Sequence, residues 1–232
     1  MFRRAALVIR CVRNYGARAT WIALRAIQHG AIQKVEEFSS LVRLVSQREP
    51  SVVLEIGTHE GGTYWAWCQV ASATAKVVSI DFPGSEKVSA RLRSYLRPTQ
   101  TETLIRADSH DPHTVGSVDV LRGSVDLLFI DGDHGYEGVR ADFENYAPLV
   151  KPGGLIAFHD VVLNDDPTSQ VDRLWKQLRD LYDVRELIAD EAHGWGGIGV
   201  LHWNGDEDLA KWISAPRGGS EVATPAGYRE PA

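Results

Sequence analysis

The chain has 232 residues, 44% of them hydrophobic and 24% charged, with a formal net charge of −6. Such a length and composition describe one globular domain of ordinary make-up and exclude the disordered, collagenous and disulfide-scaffold classes. Its two cysteines, Cys11 and Cys68, are too few for a disulfide framework or a cysteine-rich zinc site, and no apolar run reaches the ~18 residues that span a bilayer, so the expectation is a cytoplasmic chain.

The charge is lopsided. Residues 1–35 carry Arg3, Arg4, Arg10, Arg13, Arg18, Arg25 and Lys34 and no acid, which leaves the remainder at a net −13. An acidic body excludes a general nucleic-acid binder, because neutralising phosphates takes a basic face. Residues 1–34 read as a basic helical extension that packs on or near the fold. Contact with a membrane surface, or targeting, is the alternative. The segment lacks the form of a cleavable signal, since arginines interrupt its apolar stretch.

Val35, Phe38, Val42 and Val45 then recur at helical spacing as far as Pro50, opening a domain over 35–204. Residues 51–56 are a short apolar run before Gly57 and read as a buried strand. The same event recurs at 76–81, more weakly at 103–106, and again at 125–130 and 154–158. Helical patterns fill 64–75, 86–97, 137–150 and 170–182. This alternation predicts an α/β, doubly wound, mostly parallel sheet with helices on both faces. Residues 184–188 and 198–203 are separated by about ten residues rich in glycine (Gly194, Gly196, Gly197), too short for a helical crossover, so they pair antiparallel. Residues 205–232, with Gly, Pro and Ser clustered near 216–220, read as a mobile tail.

In such a sheet ligands sit at the carboxyl ends of the strands. The first strand runs into Glu55-Ile-Gly57-Thr58-His-Glu-Gly61-Gly62-Thr63 at the start of a helix. Glycines allow a sharp turn and close backbone approach, and the helix start offers free N–H groups, although a plain strand–helix turn has the same look. The second strand ends in Asp81, 24 residues after Gly57, where a carboxylate accepts both hydroxyls of a ribose or caps a turn. Asp108-Ser109 follow the third and either cap a turn or bind an adenine amino group. Gly-x-x-x-Gly-Gly in place of Gly-x-Gly-x-x-Gly speaks against NAD, as does the absence of any tyrosine with a lysine four residues later.

Together, Val53-Leu-Glu-Ile-Gly-Thr, Gly61-Gly62-Thr63, Ile80-Asp81, Asp108-Ser109, Phe129-Ile-Asp-Gly-Asp-His134 and Lys151-Pro-Gly-Gly-Leu-Ile-Ala-Phe-His-Asp160 resemble the class I S-adenosylmethionine-dependent methyltransferases. The likeness covers roughly 31–204 and is greatest to the branch with macrolide sugar O-methyltransferases and proteins labelled cephalosporin hydroxylase. It implies a Rossmann-like sheet of seven strands with the last antiparallel. It also implies that Glu55, Gly57, Thr58, Gly61, Gly62 and Thr63 hold the methionine end of S-adenosylmethionine, Asp81 the ribose, and Asp108 and Ser109 the adenine side.

The fourth strand ends in Asp131-Gly-Asp-His134 and the fifth in His159-Asp160, so these side chains converge beside the cofactor. Methyl transfer needs in-line alignment, and a hydroxyl acceptor needs its proton removed by a base or its oxygen activated by a cation. In the sugar O-methyltransferases that the chain resembles, an aspartate at the position of Asp131 and an acidic pair after the next strand hold magnesium, and a histidine at the position of His134 is the base. Asp160 matches the second acid, but His159 stands where the first would be, and magnesium prefers oxygen. The expected catalytic residues are therefore His134 and Asp131, and the expected ligands of Mg2+ or another divalent cation are Asp131, His159 and Asp160. A metal-free site with His134 or His159 as base stays open, as does a plain cap by Asp131.

Trp195, in His193-Gly-Trp-Gly-Gly, covers the acceptor or caps the core. Residues 109–113 read as a surface loop, Tyr64, Trp65 and Trp67 as core, and Cys68 as buried. The reading that results is an O-methyltransferase acting on a small hydroxylated acceptor such as a sugar or specialised metabolite. Its N-terminal region would lid the site or join subunits of a homo-oligomer. A metal-dependent oxygenase or hydrolase built on the same histidines and aspartates, and a non-catalytic cofactor-binding or membrane-associated protein, are the alternatives.

Overall fold

The short apolar runs become strands of one sheet: β1 (Val52–Ile56), β2 (Lys76–Asp81), β3 (Thr101–Arg106), β4 (Val125–Ile130), β5 (Val150–His159), β6 (Val184–Leu187) and β7 (Ile198–His202). The computed structural model describes residues 2–82, 86–190 and 194–215. The strand order is β3-β2-β1-β4-β5-β7-β6. The first five strands pair in parallel, and β7 runs antiparallel to both β5 and β6. This is the seven-stranded, doubly wound sheet expected, with the antiparallel hairpin where the spacing placed it.

Side chains alternate between the two faces with the period of a strand. Val53, Leu127, Phe129, Leu155 and Ala157 pack against α2 (Ala17–Gln28), α3 (Val35–Ser46), α4 (Gly62–Val70) and α5 (Glu86–Tyr95). Leu54, Ile56, Leu128, Ile130, Ile156 and Phe158 pack against α7 (Tyr136–Tyr146) and α8 (Val171–Leu181). α4 is buried on almost every side, because it lies between the sheet and α2, and its sequence is apolar all round. At its centre Trp67 stands edge-on to Phe38 and Phe129, with centroids 5.5 and 5.3 Å away. Trp65, Tyr64 and Cys68 are core as expected.

α1 (Phe2–Tyr15) and α2 pack on the fold, burying Cys11, Ile22, Ala23 and Ala26, and Arg10 pairs with Glu36 at 2.7 Å. Among the described residues, no helix is long and apolar enough to cross a membrane.

Several boundaries differ from the sequence reading. α4 ends at Val70, where Ala71 turns out of the helix and the Ser72 N–H bonds the Pro50 carbonyl. β5 begins at Val150, because Val150 pairs with Val125 before the register shifts across the polar Lys-Pro-Gly-Gly stretch. Residues 206–214, placed in the mobile tail, form α9 (Asp206–Ser214), held by Trp212 Nε1 donating to Glu144 at 2.9 Å. Positions 216–232, with the Gly/Pro/Ser cluster, lie outside the described residues. Within 109–113, read as a loop, α6 (Pro112–Ser117) starts, with Asp111 capping the His113 N–H at 2.7 Å.

Candidate active site

The carboxyl ends of β1, β2, β4 and β5 and the segment after β3 open on one cavity of about 710 Å³. On one side lies the glycine turn. Gly57 has φ +83°, and a Cβ there would overlap the Asp131 carbonyl, so glycine is required both by conformation and by the approach of the β4 end. Thr58 is buried with its hydroxyl 2.6 Å from that of Ser79. Thr58 and Thr63 line the cavity.

Asp81 closes this side. Its Oδ2 accepts the His59 N–H at 2.7 Å and its Oδ1 the Phe82 N–H at 2.8 Å, with Arg106 3.9 Å away. Asp108 accepts the His110 N–H at 2.9 Å, and Asp108, Ser109 and His110 all line the cavity.

Three predicted cofactor residues stand behind this wall. Gly61, with φ +89°, leaves room for Leu92, and Gly62 leaves room for the backbone of Ala26 and Ala31. Glu55 is fully buried under the turn, accepting Trp67 Nε1 at 2.8 Å. Burial pushes its carboxyl up to about 7 against the pull of Thr63, Trp67 and Thr58. These three shape the turn instead of lining the cavity.

Across the cavity, Asp131 at the end of β4 meets His159 and Asp160 at the end of β5. Asp160 takes a left-handed backbone, φ +60°, unusual for a non-glycine, and its Oδ1 accepts the Gly196 N–H at 2.8 Å. His159 is 4% exposed, and its Nδ1 lies 3.2 Å from Asp131 Oδ1 and 3.3 Å from Asp160 Oδ2. Burial alone would strip its proton, but the two carboxylates outweigh burial and raise it to about 10, an imidazolium clamped between them. Burial works to raise Asp160 in turn, and His159 and the Gly196 N–H overcome it, holding the carboxyl below its ordinary range.

His134 sits at the rim, its side chain 43% exposed, with Nε2 3.4 Å from Asp131 and 3.7 Å from Asp160. The Asp131 contact raises its pKa against burial, and Asp160 adds to the rise. Asp131, His134 and Asp160 present ligand atoms within 4.8 Å of one another, a mixed oxygen–nitrogen set that fits a divalent cation. This differs from the ligand set expected. His134, and not His159, is the imidazole grouped with the two carboxylates, while His159 points one nitrogen at both of them as a donor.

Residues 54–161 match a family model described as a methyltransferase domain. Over this stretch the chain is similar to methyltransferase domains. It is 29% identical over 176 residues, 69% of its length, to the uncharacterized protein y4gI of Sinorhizobium fredii, 18% of which is matched. The chain spans about half or less of the length of the curated relatives it matches. Its fold is that of an O-methyltransferase from Bacillus cereus solved in complex with SAH (TM-score 0.57, 20% identity, 78% of this chain and 90% of that one). It is likewise that of the MycE methyltransferase of the mycinamycin biosynthetic pathway, solved with Mg, SAH and mycinamycin VI (TM-score 0.58, 18% identity, 81% and 54%). At these identities the likeness is one of fold.

The cavity also uses residues that the sequence reading passed over. Gly30, Ala31 and Ile32, in the linker between α2 and α3, form part of its wall, with Phe82 and Asn164. Trp195, read as a cover for the acceptor or a cap on the core, lines it too, its ring 6.4 Å from that of His159; His193, in the same motif, lies outside the described residues. His110 reaches back to the buried Asp142, Nε2 to Oδ1 3.2 Å, and burial raises that carboxyl to about 6 against the pull of Ser109 and His110. Helical periodicity marks Asp142 as a polar residue and carries no sign that α7 turns it inward.

Proposed function

We propose that the chain transfers the methyl group of S-adenosylmethionine to a hydroxyl oxygen of a small molecule, a sugar or specialised metabolite. One observation carries this reading: Asp81 and the Asp131–His134–His159–Asp160 cluster open on the same cavity, so a nucleoside-type carboxylate and a base face one another. Thr58 and Thr63 at the start of α4 suit the methionine end, Asp81 the ribose hydroxyls, and Asp108 with Ser109 the adenine side. A volume of about 710 Å³ is in the range that holds a cofactor with a small acceptor.

His134 is the group assigned to the proton. It is the most accessible member of the cluster, and Asp131 and Asp160 behind it stabilise the imidazolium that forms. As the acceptor oxygen bonds to the methyl carbon, the S–CH3 bond breaks, the hydroxyl proton passes to His134 Nδ1, the nitrogen turned away from the carboxylates, and S-adenosylhomocysteine (SAH) leaves. Asp131 and Asp160 are the residues that would hold a divalent cation, which when bound orients and acidifies an acceptor hydroxyl. His134 cannot be base and ligand at once, and its longer reach to the carboxylates favours the first role. The linker residues 30–32 in the cavity wall support a site that includes the N-terminal region.

A panel of sugars, catechols and polyhydroxylated metabolites, incubated with methyl-labelled S-adenosylmethionine with and without Mg2+ or Mn2+, tests the reading. Label is expected on an acceptor oxygen, with His134→Gln reduced ~10²–10⁴-fold while still binding SAH. Label transfer undiminished in His134→Gln would remove this histidine as the base.

A further inference from the structure

The linker between α2 and α3 reaches into the acidic cluster. Gln33 is buried, 6% exposed, and its Nε2 donates to Asp131 Oδ2 at 3.1 Å, across 98 positions of sequence. A carboxylate only accepts, so the amide orientation is fixed by chemistry. The linker itself is held firmly. Lys34 donates to the Trp195 carbonyl at 2.6 Å, and Glu37 accepts the Gly197 N–H at 2.9 Å. On the other side, the Ala31 backbone fills the space where a Cβ on Gly62 would stand. Gln33 therefore offers a fixed donor. With Oδ2 so engaged, Oδ1 is the Asp131 oxygen within reach of His134 and His159.

We propose that Gln33 is a positioning residue for Asp131: it locks the carboxylate so that Oδ1 faces the cavity, and a residue outside the 54–161 match thereby completes the acceptor side. This rests on the assignment of Asp131 and Asp160 as the cation-holding pair. Hydrogen-bond partners of a ligating carboxylate typically change metal affinity 10- to 100-fold when removed. Gln33→Leu and Gln33→Met keep most of the side-chain volume and delete the donor.

The test is titration of Mn2+ into the full chain, free ion read by electron paramagnetic resonance, with SAH calorimetry and thermal unfolding on the same samples. Wild type is expected to bind Mn2+ saturably, and both variants ~10- to 100-fold more weakly, with SAH affinity within about twofold of wild type, since Gln33 is absent from the cofactor wall. Mn2+ affinity unchanged in both variants, or no saturable binding by wild type, overturns the proposal. So does a parallel loss of Mn2+ and SAH binding, which marks a merely structural role. Wild type that binds Mn2+ and not SAH would sink the cofactor assignment, while the comparison of variants would still decide Gln33.

Discussion

Single residues divide the work of the cavity in ways that residue type alone does not announce. The aspartates and histidines at the ends of β4 and β5 were legible as a cluster, because strand ends in a doubly wound sheet must converge. Which imidazole faces solvent was not legible, since that depends on the turn at Asp160 and on both carboxylates reaching the same Nδ1 of His159. Gln33 was invisible for a related reason: a polar residue in a linker carries no periodic signal, and its partner lies 98 positions away. Glu55 gives a prediction at this scale. Its carboxyl is raised from an ordinary 4.5 to about 7 by burial. Below pH 4.5 both folded and unfolded states are neutral there. Between pH 4.5 and 7 the unfolded chain ionises while the folded chain does not, so stability falls across that window and the loss is complete above it. Glu55→Gln is expected to be more stable than wild type by about 1–3 kcal/mol at pH 8 and nearly equal to it at pH 4. Urea unfolding at the two pH values reads the difference, and an equal offset at both would show that the carboxyl ionises normally in the fold.

At the scale of elements, strands were the most readable features, because burial on both faces demands short, continuous apolar runs. β2 and β4 have the bounds that those runs set. Helix ends were harder. α4 is apolar on all sides, so no polar face marks where it stops, and α9 hides in a stretch whose downstream glycines and prolines suggest a tail. The turn from β1 to α4 is where element geometry and site meet. Gly57 needs its positive φ, and its Cα lies against the backbone of Asp131, so the glycine sets the separation of the β1 and β4 ends. Gly57→Ala is expected to cost about 2–4 kcal/mol, from left-handed strain together with overpacking against backbone that cannot move away as a side chain would. Denaturant unfolding measures it. A loss below about 0.5 kcal/mol would mean the turn adapts freely, contrary to its fixed role here.

For the whole molecule, the sheet gathers onto one edge residues from positions 30 to 195: the α2–α3 linker, the glycine turn, Asp81, the segment after β3, the β4 and β5 ends, and Trp195 of the β6–β7 loop. The basic N-terminal region, set apart in the sequence by its charge, packs on α3 and α4 and delivers the linker to the cavity wall. Its charge set it apart as a helical extension, and only the packing connects it to the site. The central claim is that this cavity holds S-adenosylmethionine with its ribose on Asp81, and calorimetric titration of S-adenosylmethionine and SAH into wild type and Asp81→Ala tests it most directly. Micromolar binding by wild type, weakened at least ~10-fold in a folded Asp81→Ala protein, is the predicted result. No binding to folded wild type, or equal binding by both proteins, would contradict it.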